Sequence, residues 1–158
     1  MCAEIKHNSR WYSPLQFGGV ASAHIDYDLA PYVRISFLKH YKDGLKYCES
    51  RKSYDAFEKK FGKDAGENAS IDADLNIFQA YAPKAYQYAT DMLEKEGRQS
   101  CEALFHNLNT LESRPGSQLP FTSINYGLNT TFEGRCVSRW LLNASIEGIG
   151  KYHNTPIF

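Results

Sequence analysis

Apolar residues recur every three or four positions through much of this chain, which is the spacing of helices that bury one face. The first such stretch predicts a helix over about 29–48, and Asp28 is placed to cap it. Its apolar positions are Val33, Phe37 and Tyr41. The residues before it lack a clear period and predict a loop with a short strand near Gly19–His24. The charged stretch 49–72 predicts a surface connection with a short helical turn at Tyr54–Phe61.

A second stripe of apolar residues lies at 75–92, where the steps alternate between three and four residues. Its members are Leu75, Phe78, Ala82, Ala85, Ala89 and Met92. Such a stripe is typical of helix packing, either inside a core or between two copies of a chain. Pro83 should interrupt the helix, and Gly97 is one place where it could end. Because the apolar spacing continues beyond Gly97, we expect one long interrupted helix to about 111.

The last part of the chain predicts a strand, a helix and a second strand. Residues 119–126 alternate, with Thr122, Ile124 and Tyr126 on one face and Phe121, Ser123 and Asn125 on the other. Thr130 and Glu133 have the spacing of a capping box, and the helix after them ends near Gly148. Its predicted buried residues are Cys136, Val137, Trp140, Leu141 and Ala144. Residues 155–158 begin another strand, which gives a βαβ unit with parallel pairing.

Composition narrows the class of protein. The 158 residues are 42% hydrophobic and 14% aromatic, which favours a packed fold over disorder. Eighteen basic and eighteen acidic residues give no net charge, which argues against direct binding to nucleic acid. The sequence has no apolar run suited to a membrane and no secretory signal, so we expect a cytoplasmic protein. The four cysteines lack metal-binding spacing. Because a predicted strand has barely begun where the chain stops, we expect a fragment of a larger α/β protein.

Three ordered blocks of sequence carry long motifs. Phe105–Gly127 has the sequence FHNLNTLESRPGSQLPFTSINYG, and Gln16–His40 contains a Q-x-GG segment followed by D-x-x-x-AP. Glu133–Phe158 begins with EGR and ends with G-x-G-K-x-x-x-TPIF. Together these blocks closely resemble anaerobic, class III ribonucleoside-triphosphate reductases. Glu112, Pro115 and Ser117 depart from the usual residues of that pattern.

The resemblance implies a fold of the α/β class, in which this fragment is part of a ten-stranded α/β barrel of the glycyl-radical type. Residues 1–15 would be an irregular N-terminal segment and 16–158 a partial catalytic domain. Within that domain, 16–112 would be mainly helical and would hold the dimer and effector region. The C-terminal βαβ unit at 113–158 would begin the barrel.

The resemblance also implies the chemistry. A radical S-adenosylmethionine activase makes a glycyl radical, which generates a thiyl radical that reduces ribonucleoside triphosphates. Formate is the reductant, ATP and deoxynucleotides are effectors, and the enzyme is a homodimer. The glycyl radical, the thiyl cysteine and a zinc site would lie in parts missing from this chain. We therefore predict no catalytic residue here, no bound metal and no turnover by the chain alone.

Two groups of residues are candidates for binding. The candidates for the substrate or the barrel lumen are Asn107, Asn109, Arg114, Gln118, Ser123 and Asn125. The candidates for a nucleotide effector are Gln16, Gly18, Gly19, His24 and Asp26. The arginine fork suits phosphate or carboxylate, and paired glycines allow a backbone to approach a ligand. Purely structural roles in loops, caps and turns remain open for all of them.

Two other functions also remain open. The chain could be a non-catalytic helical binding module, or a fragment of another glycyl-radical enzyme such as a relative of pyruvate formate-lyase. The HNLNT…PFTS block argues against the second of these.

Overall fold

A computed structural model describes residues 19–62, 75–110 and 121–148. These residues are mainly helical and include a two-stranded parallel sheet. The elements in chain order are β1 (Gly19–Ser22), α1 (Ile25–Cys48), α2 (Arg51–Phe61), α3 (Leu75–Tyr81), α4 (Pro83–Thr110), β2 (Phe121–Ile124) and α5 (Phe132–Glu147). The chain divides into two compact units. We name 31–96 the helical unit, and 1–30 together with 97–158 the sheet unit.

The sheet confirms the strand positions predicted near Gly19–His24 and within 119–126. β1 pairs with β2 from Gly19 opposite Phe121 to Ser22 opposite Ile124. Thr122 and Ile124 are half-buried, whereas Phe121 and Ser123 are exposed, which confirms the predicted alternation. These two strands are parallel, but the predicted parallel pair joined 119–126 to 155–158, and it stays a prediction because 155–158 lie outside the described residues.

The start of α1 corrects one prediction. The backbone N–H of Asp28 donates to the carbonyl of His24 at 3.0 Å, so the helix begins at Ile25. Asp28 therefore lies in the first turn and is not the N-cap. The predicted end near residue 48 is correct.

The helical unit has an aromatic core. Six rings, of Phe37, Tyr41, Phe57, Phe61, Phe78 and Tyr86, contact one another at centroid distances of 4.9–6.1 Å. The Tyr41 hydroxyl donates to the carbonyl of Phe78 at 3.0 Å, and burial raises the pKa of that hydroxyl above its ordinary value. Phe57 comes from α2, so the helical turn predicted at Tyr54–Phe61 is a full helix that contributes to this core.

The apolar stripe before residue 92 is used inside the helical unit. Phe78, Ala82, Ala85 and Ala89 are each at most 3% exposed, which favours the core-packing interpretation of the stripe. Small residues let two helices approach closely here, because a Cβ added at Gly44 would lie 2.9 Å from the Cα of Ala85. The helix is interrupted at Ala82 and resumes at Pro83, as predicted from the proline.

Helix α4 continues to Thr110, which confirms the long helix and excludes Gly97 as its end. Gly97 has a packing role instead. A Cβ at this position would lie 2.4–2.5 Å from atoms of the Trp140 ring, so only glycine lets α4 and α5 approach this closely. All five residues predicted to be buried on α5 are buried, including Cys136 and Trp140. Cys101 is buried in the same packing, as predicted for a cysteine on an apolar helical stripe.

None of the helices in the described part of the chain is both long and apolar enough to cross a membrane.

Candidate functional site

The carboxyl ends of the parallel strands lie in the sheet unit, where a loop at 125–131 connects β2 to α5. Two backbone hydrogen bonds tie this loop to the last residue of β1 and the first residue of α1. The N–H of Asn125 donates to the carbonyl of Ser22 at 2.9 Å, and the N–H of Ile25 donates to the carbonyl of Asn125 at 3.3 Å. In α/β proteins, ligands bind beyond the carboxyl ends of parallel strands. This loop is therefore the first place to look for a site.

A buried carboxylate holds the loop in place. Asp26, in the first turn of α1, is 1% exposed. Its Oδ2 atom accepts hydrogen bonds from the backbone N–H groups of Gly127 at 2.9 Å and Asn129 at 2.8 Å. Its Oδ1 atom accepts from the N–H of Tyr27 at 3.1 Å. We call this arrangement the Asp26 clasp.

The clasp keeps Asp26 ionised. Burial by itself raises the pKa of a carboxyl group, because it removes water from the charged form. Hydrogen bonds from backbone N–H groups, led by those of Asn129 and Gly127, outweigh this effect and hold the pKa of Asp26 below its usual value. At 1% exposure, this ionised carboxylate is committed to the loop backbone.

Asn129 links the clasp to the beginning of α5. Its side-chain Nδ2 donates to the backbone carbonyl of Asp26 at 3.2 Å, and its Oδ1 accepts from the N–H and hydroxyl of Thr131 at 3.0 and 2.8 Å. Thr131 in turn caps α5, because its hydroxyl accepts from the N–H of Gly134. A Cβ at Gly134 would lie 2.3 Å from the Asn129 side chain, so this glycine leaves room for the link.

The cap corrects the predicted capping box by one residue. Thr131 is the N-cap, whereas Thr130 is exposed in the loop. Glu133 is buried in the first turn. The predicted end of the helix is correct, since Gly148 follows α5 with a φ of +76° and donates its N–H to the carbonyl of Ala144.

An open groove lies beside the loop, and we call it the α5 groove. Its volume is about 410 Å³. The loop contributes Gly127, Asn129 and Thr130, and α5 contributes Arg135, Ser138, Arg139, Leu142 and Asn143. The groove therefore combines two guanidinium groups with hydroxyl and amide groups. Such side chains hold anions through charge-assisted hydrogen bonds.

The structure brings several predicted residues to this end of the sheet. Asp26 forms the clasp, and Ser123 and Asn125 are exposed on and just after β2, whereas Gly19 begins β1 and lies at the opposite end of the sheet. His24 precedes α1 and is exposed, with its ring packed edge-on against Tyr27 at a centroid distance of 6.2 Å. Their roles in nucleotide binding stay predictions.

The other candidates lie elsewhere. Asn107 and Asn109 are half-buried near the end of α4, and neither lines the α5 groove. Gln16, Gly18, Arg114 and Gln118 lie outside the described residues. Within the described ranges, no group of three or more His, Cys, Asp or Glu side chains could hold a metal ion.

Sequence reasoning missed Asn129 and the two arginines of α5. The role of Asn129 depends on its contact with Asp26, which lies 103 positions earlier, and no local period reports such a contact. The arginines did carry a signal. Arg135 and Arg139 are four residues apart, which places both on one face of the helix.

Comparisons with known proteins agree on one family. A family model described as anaerobic ribonucleoside-triphosphate reductase matches residues 11–158. The protein of that name from Haemophilus influenzae is 29% identical over 142 residues, which cover 90% of this chain and 15% of that protein. The protein of the same name from Enterobacteria phage T4 is 27% identical over 143 residues, covering 90% of this chain and 18% of that protein. The chain thus spans less than a fifth of the length of these relatives.

Proposed function

Because the chain belongs to the anaerobic ribonucleoside-triphosphate reductase family, we propose that it is part of an enzyme that reduces ribonucleoside triphosphates to deoxyribonucleotides. The observation that carries this proposal is the match of the family model over 11–158, which includes the clasp, the loop and the α5 groove. The relatives named above favour a reductase over the other glycyl-radical enzymes and over a non-catalytic binding module.

The proposed chemistry is radical reduction in the cytoplasm. A glycyl radical, formed by a radical S-adenosylmethionine activase, supplies a thiyl radical, and formate supplies the electrons. These groups, and the zinc site that the resemblance implies, belong to other parts of the enzyme. The proposed enzyme is a homodimer controlled by ATP and deoxynucleotides. The mostly helical architecture with a parallel two-stranded sheet is consistent with a piece of the α/β barrel.

This chain's own contribution is structural support at the carboxyl ends of two strands. The Asp26 clasp fixes the backbone at Gly127 and Asn129, so the loop keeps one conformation when a ligand approaches. Ser123 and Asn125 are exposed on the side of β2 that does not face the helices. In a closed barrel, that face would contribute polar groups to the lumen.

A segment exchange tests the proposed function. Residues 11–158 would replace the matching segment of the Haemophilus influenzae relative, and anaerobic conversion of labelled CTP to dCTP would be measured with activase and formate. As the control, the same segment would come from the Salmonella typhimurium relative, which is 29% identical to this chain over 142 residues. We expect both chimeras to be active and the isolated chain to be inactive.

A glycyl-radical spectrum provides the check on folding. The proposed function is wrong if the chimera that carries residues 11–158 of this chain forms the radical but makes no deoxynucleotide, while the control chimera is active. Turnover by the isolated chain would contradict the expectation that the radical residues lie elsewhere.

A further inference from the structure

The outward side of α5 carries a second stripe of residues at helical spacing. Its members are Arg135, Arg139, Leu142 and Ile146, all of them exposed and separated by steps of four, three and four residues. Residues at these steps lie along one side of a helix. We call them the outer stripe. The buried residues of α5 lie on the other side, so this helix presents apolar side chains in two directions.

The apolar half of the outer stripe is open to solvent. Leu142 is 47% exposed, and Ile146, one turn later, is 81% exposed. Leu142 also lines the α5 groove, whose surface is mostly apolar. In the loop that contributes to the groove, Leu128 is 67% exposed. A concave apolar surface bordered by exposed apolar side chains is typical of a site that binds another protein segment.

The basic half of the outer stripe selects the charge of that segment. Arg135 and Arg139 both line the groove, and no acidic side chain is among the described residues that line it. Each guanidinium is a planar fork that fits the two oxygens of a carboxylate. A helix with carboxylates beside the arginines and apolar residues beside Leu142 and Ile146 therefore complements the stripe in both charge and hydropathy.

The groove is held in shape before any segment docks. Gly127 and Asn129 line it, and the Asp26 carboxylate accepts hydrogen bonds from their backbone N–H groups at 2.9 and 2.8 Å. The opposite wall is helix α5, whose first turn is capped by Thr131. A preformed surface loses little conformational entropy when it binds, which favours docking.

We propose that the α5 groove and the outer stripe dock an acidic amphipathic helix from another part of the same reductase polypeptide, an assignment that rests on the proposed function. The segment matched by this chain is 15% of the Haemophilus influenzae relative and 18% of the phage T4 relative, so most residues of such an enzyme lie outside it. The carboxylates of the docked helix pair with Arg135 and Arg139, and its apolar residues pack on Leu142 and Ile146.

Hydroxyl-radical footprinting tests the docking in the chimeric reductase described above. In the isolated 158-residue chain, the side chains of Leu142 and Ile146 should be oxidised readily, because both are exposed. In the chimera, oxidation of both should fall severalfold, because the docked helix covers them. Leu45, which is fully buried in the chain, is the internal reference and should stay unreactive in both proteins.

Overlapping peptides from the remaining sequence of the Haemophilus influenzae relative test the docking on the chain itself. Peptides of about 20 residues span roughly five helical turns, and fluorescence anisotropy measures their binding to the full 158-residue chain. We expect binding by a peptide that carries acidic and apolar residues on one helical face. Leu142→Lys with Ile146→Lys should retain part of this binding. Leu142→Glu with Ile146→Glu should abolish it, because added carboxylates repel an acidic helix.

A matched pair on another helix is the control for these variants. Ile77 and Tyr81 are exposed residues four positions apart on α3, as Leu142 and Ile146 are on α5. Ile77→Glu with Tyr81→Glu should therefore change peptide binding less than about twofold.

Three outcomes would overturn the proposal. The first is unchanged oxidation of Leu142 and Ile146 in an active chimera, and the second is a cooperatively folded chain that binds none of the peptides. The third is self-association of the chain through the outer stripe, which would assign this face to a second copy.

The chimera separates this proposal from the proposed function. If the chimera makes deoxynucleotide while Leu142 and Ile146 stay reactive, the docking alone is wrong. If it forms the glycyl radical and protects both residues but makes no deoxynucleotide, beside an active control, the proposed function alone is wrong.

Discussion

Asp26 and Asn129 bind each other in both directions. The carboxylate of Asp26 accepts from the backbone N–H of Asn129 at 2.8 Å, and the side-chain amide of Asn129 donates to the backbone carbonyl of Asp26 at 3.2 Å. Asp26 lies in the first turn of α1, and Asn129 precedes α5. This pair therefore fixes the start of one helix against the start of another and sets the path of the loop between β2 and α5.

Asp26→Asn should destabilise the chain by about 2–3 kcal/mol at pH 7. The substitution removes the charge that two loop N–H groups bind and leaves those donors facing an amide. The measurement is urea unfolding followed by circular dichroism. Asp28→Asn is the matched control, because Asp28 is exposed in the same helical turn, and it should cost less than about 1 kcal/mol.

The difference between wild type and Asp26→Asn should depend on pH. The pKa of Asp26 is lower in the folded state than its unfolded value of about 3.9, so the ionised carboxylate stabilises the fold above that value. This stabilisation is lost as the pH falls from about 4 through the folded-state pKa. A stability difference that stays constant from pH 7 to pH 2 would contradict the clasp.

Thr131→Ala should cost about 1 kcal/mol, because it removes the side chain that caps α5. Thr130→Ala should have little effect on stability, since Thr130 is an exposed loop residue. Thermal unfolding of the two variants under the same conditions measures the difference. If the two variants are equally destabilised, or if Thr130→Ala is the less stable of the two, Thr130 contributes to the cap as the sequence predicted.

Gly97→Ala should destabilise the sheet unit by about 1–3 kcal/mol, although alanine is the better helix former by about 1 kcal/mol. The new methyl group would overlap the Trp140 ring. Gln99→Ala, at an exposed position of the same helix, is the control and should be neutral or slightly stabilising. In a Trp11→Phe background Trp140 is the sole tryptophan of the sequence, so the fluorescence of the chain reports its environment as urea is raised. A Gly97→Ala variant as stable as Gln99→Ala would show that the helices separate easily.

Tyr41→Phe should cost about 1 kcal/mol through the loss of one buried hydrogen bond. The cost is moderate because the Phe78 carbonyl still accepts from the N–H of Ala82 at 3.1 Å. Tyr47→Phe, on the exposed side of the same helix, should be close to neutral. Chemical denaturation of both variants at neutral pH provides the comparison, and equal stabilities would show that the Tyr41 bond contributes nothing.

Local patterns in the sequence predicted much of the fold. The alternation of β2 and the buried face of α5 were correct because each depends on a period within one element. The start of α1 and the cap of α5 were displaced by a few residues. At α5 the neighbouring Thr130 is of the same capping type, and Thr131 is the cap because it bonds to Asn129, which is itself held by the distant Asp26.

The candidate site was less predictable, because it is assembled from distant residues. Gly97 appeared to be a possible helix end, and its true role depends on Trp140, which belongs to another helix. Asp26 was identified by its place in a family motif, and its buried partners were not. Long-range contacts of this kind leave no periodic trace in the sequence.

The same separation in sequence has a consequence for the order of folding. Asp26 and Asn129 are separated by about a hundred residues of chain. Bringing them together costs the conformational entropy of that long loop before their hydrogen bonds can form. The aromatic cluster forms over shorter separations, so we expect the helical unit to fold early and the sheet and its loop to fold afterwards. Because the Asp26 contact then forms after the rate-limiting step, Asp26→Asn would mainly accelerate unfolding while leaving the folding rate nearly unchanged.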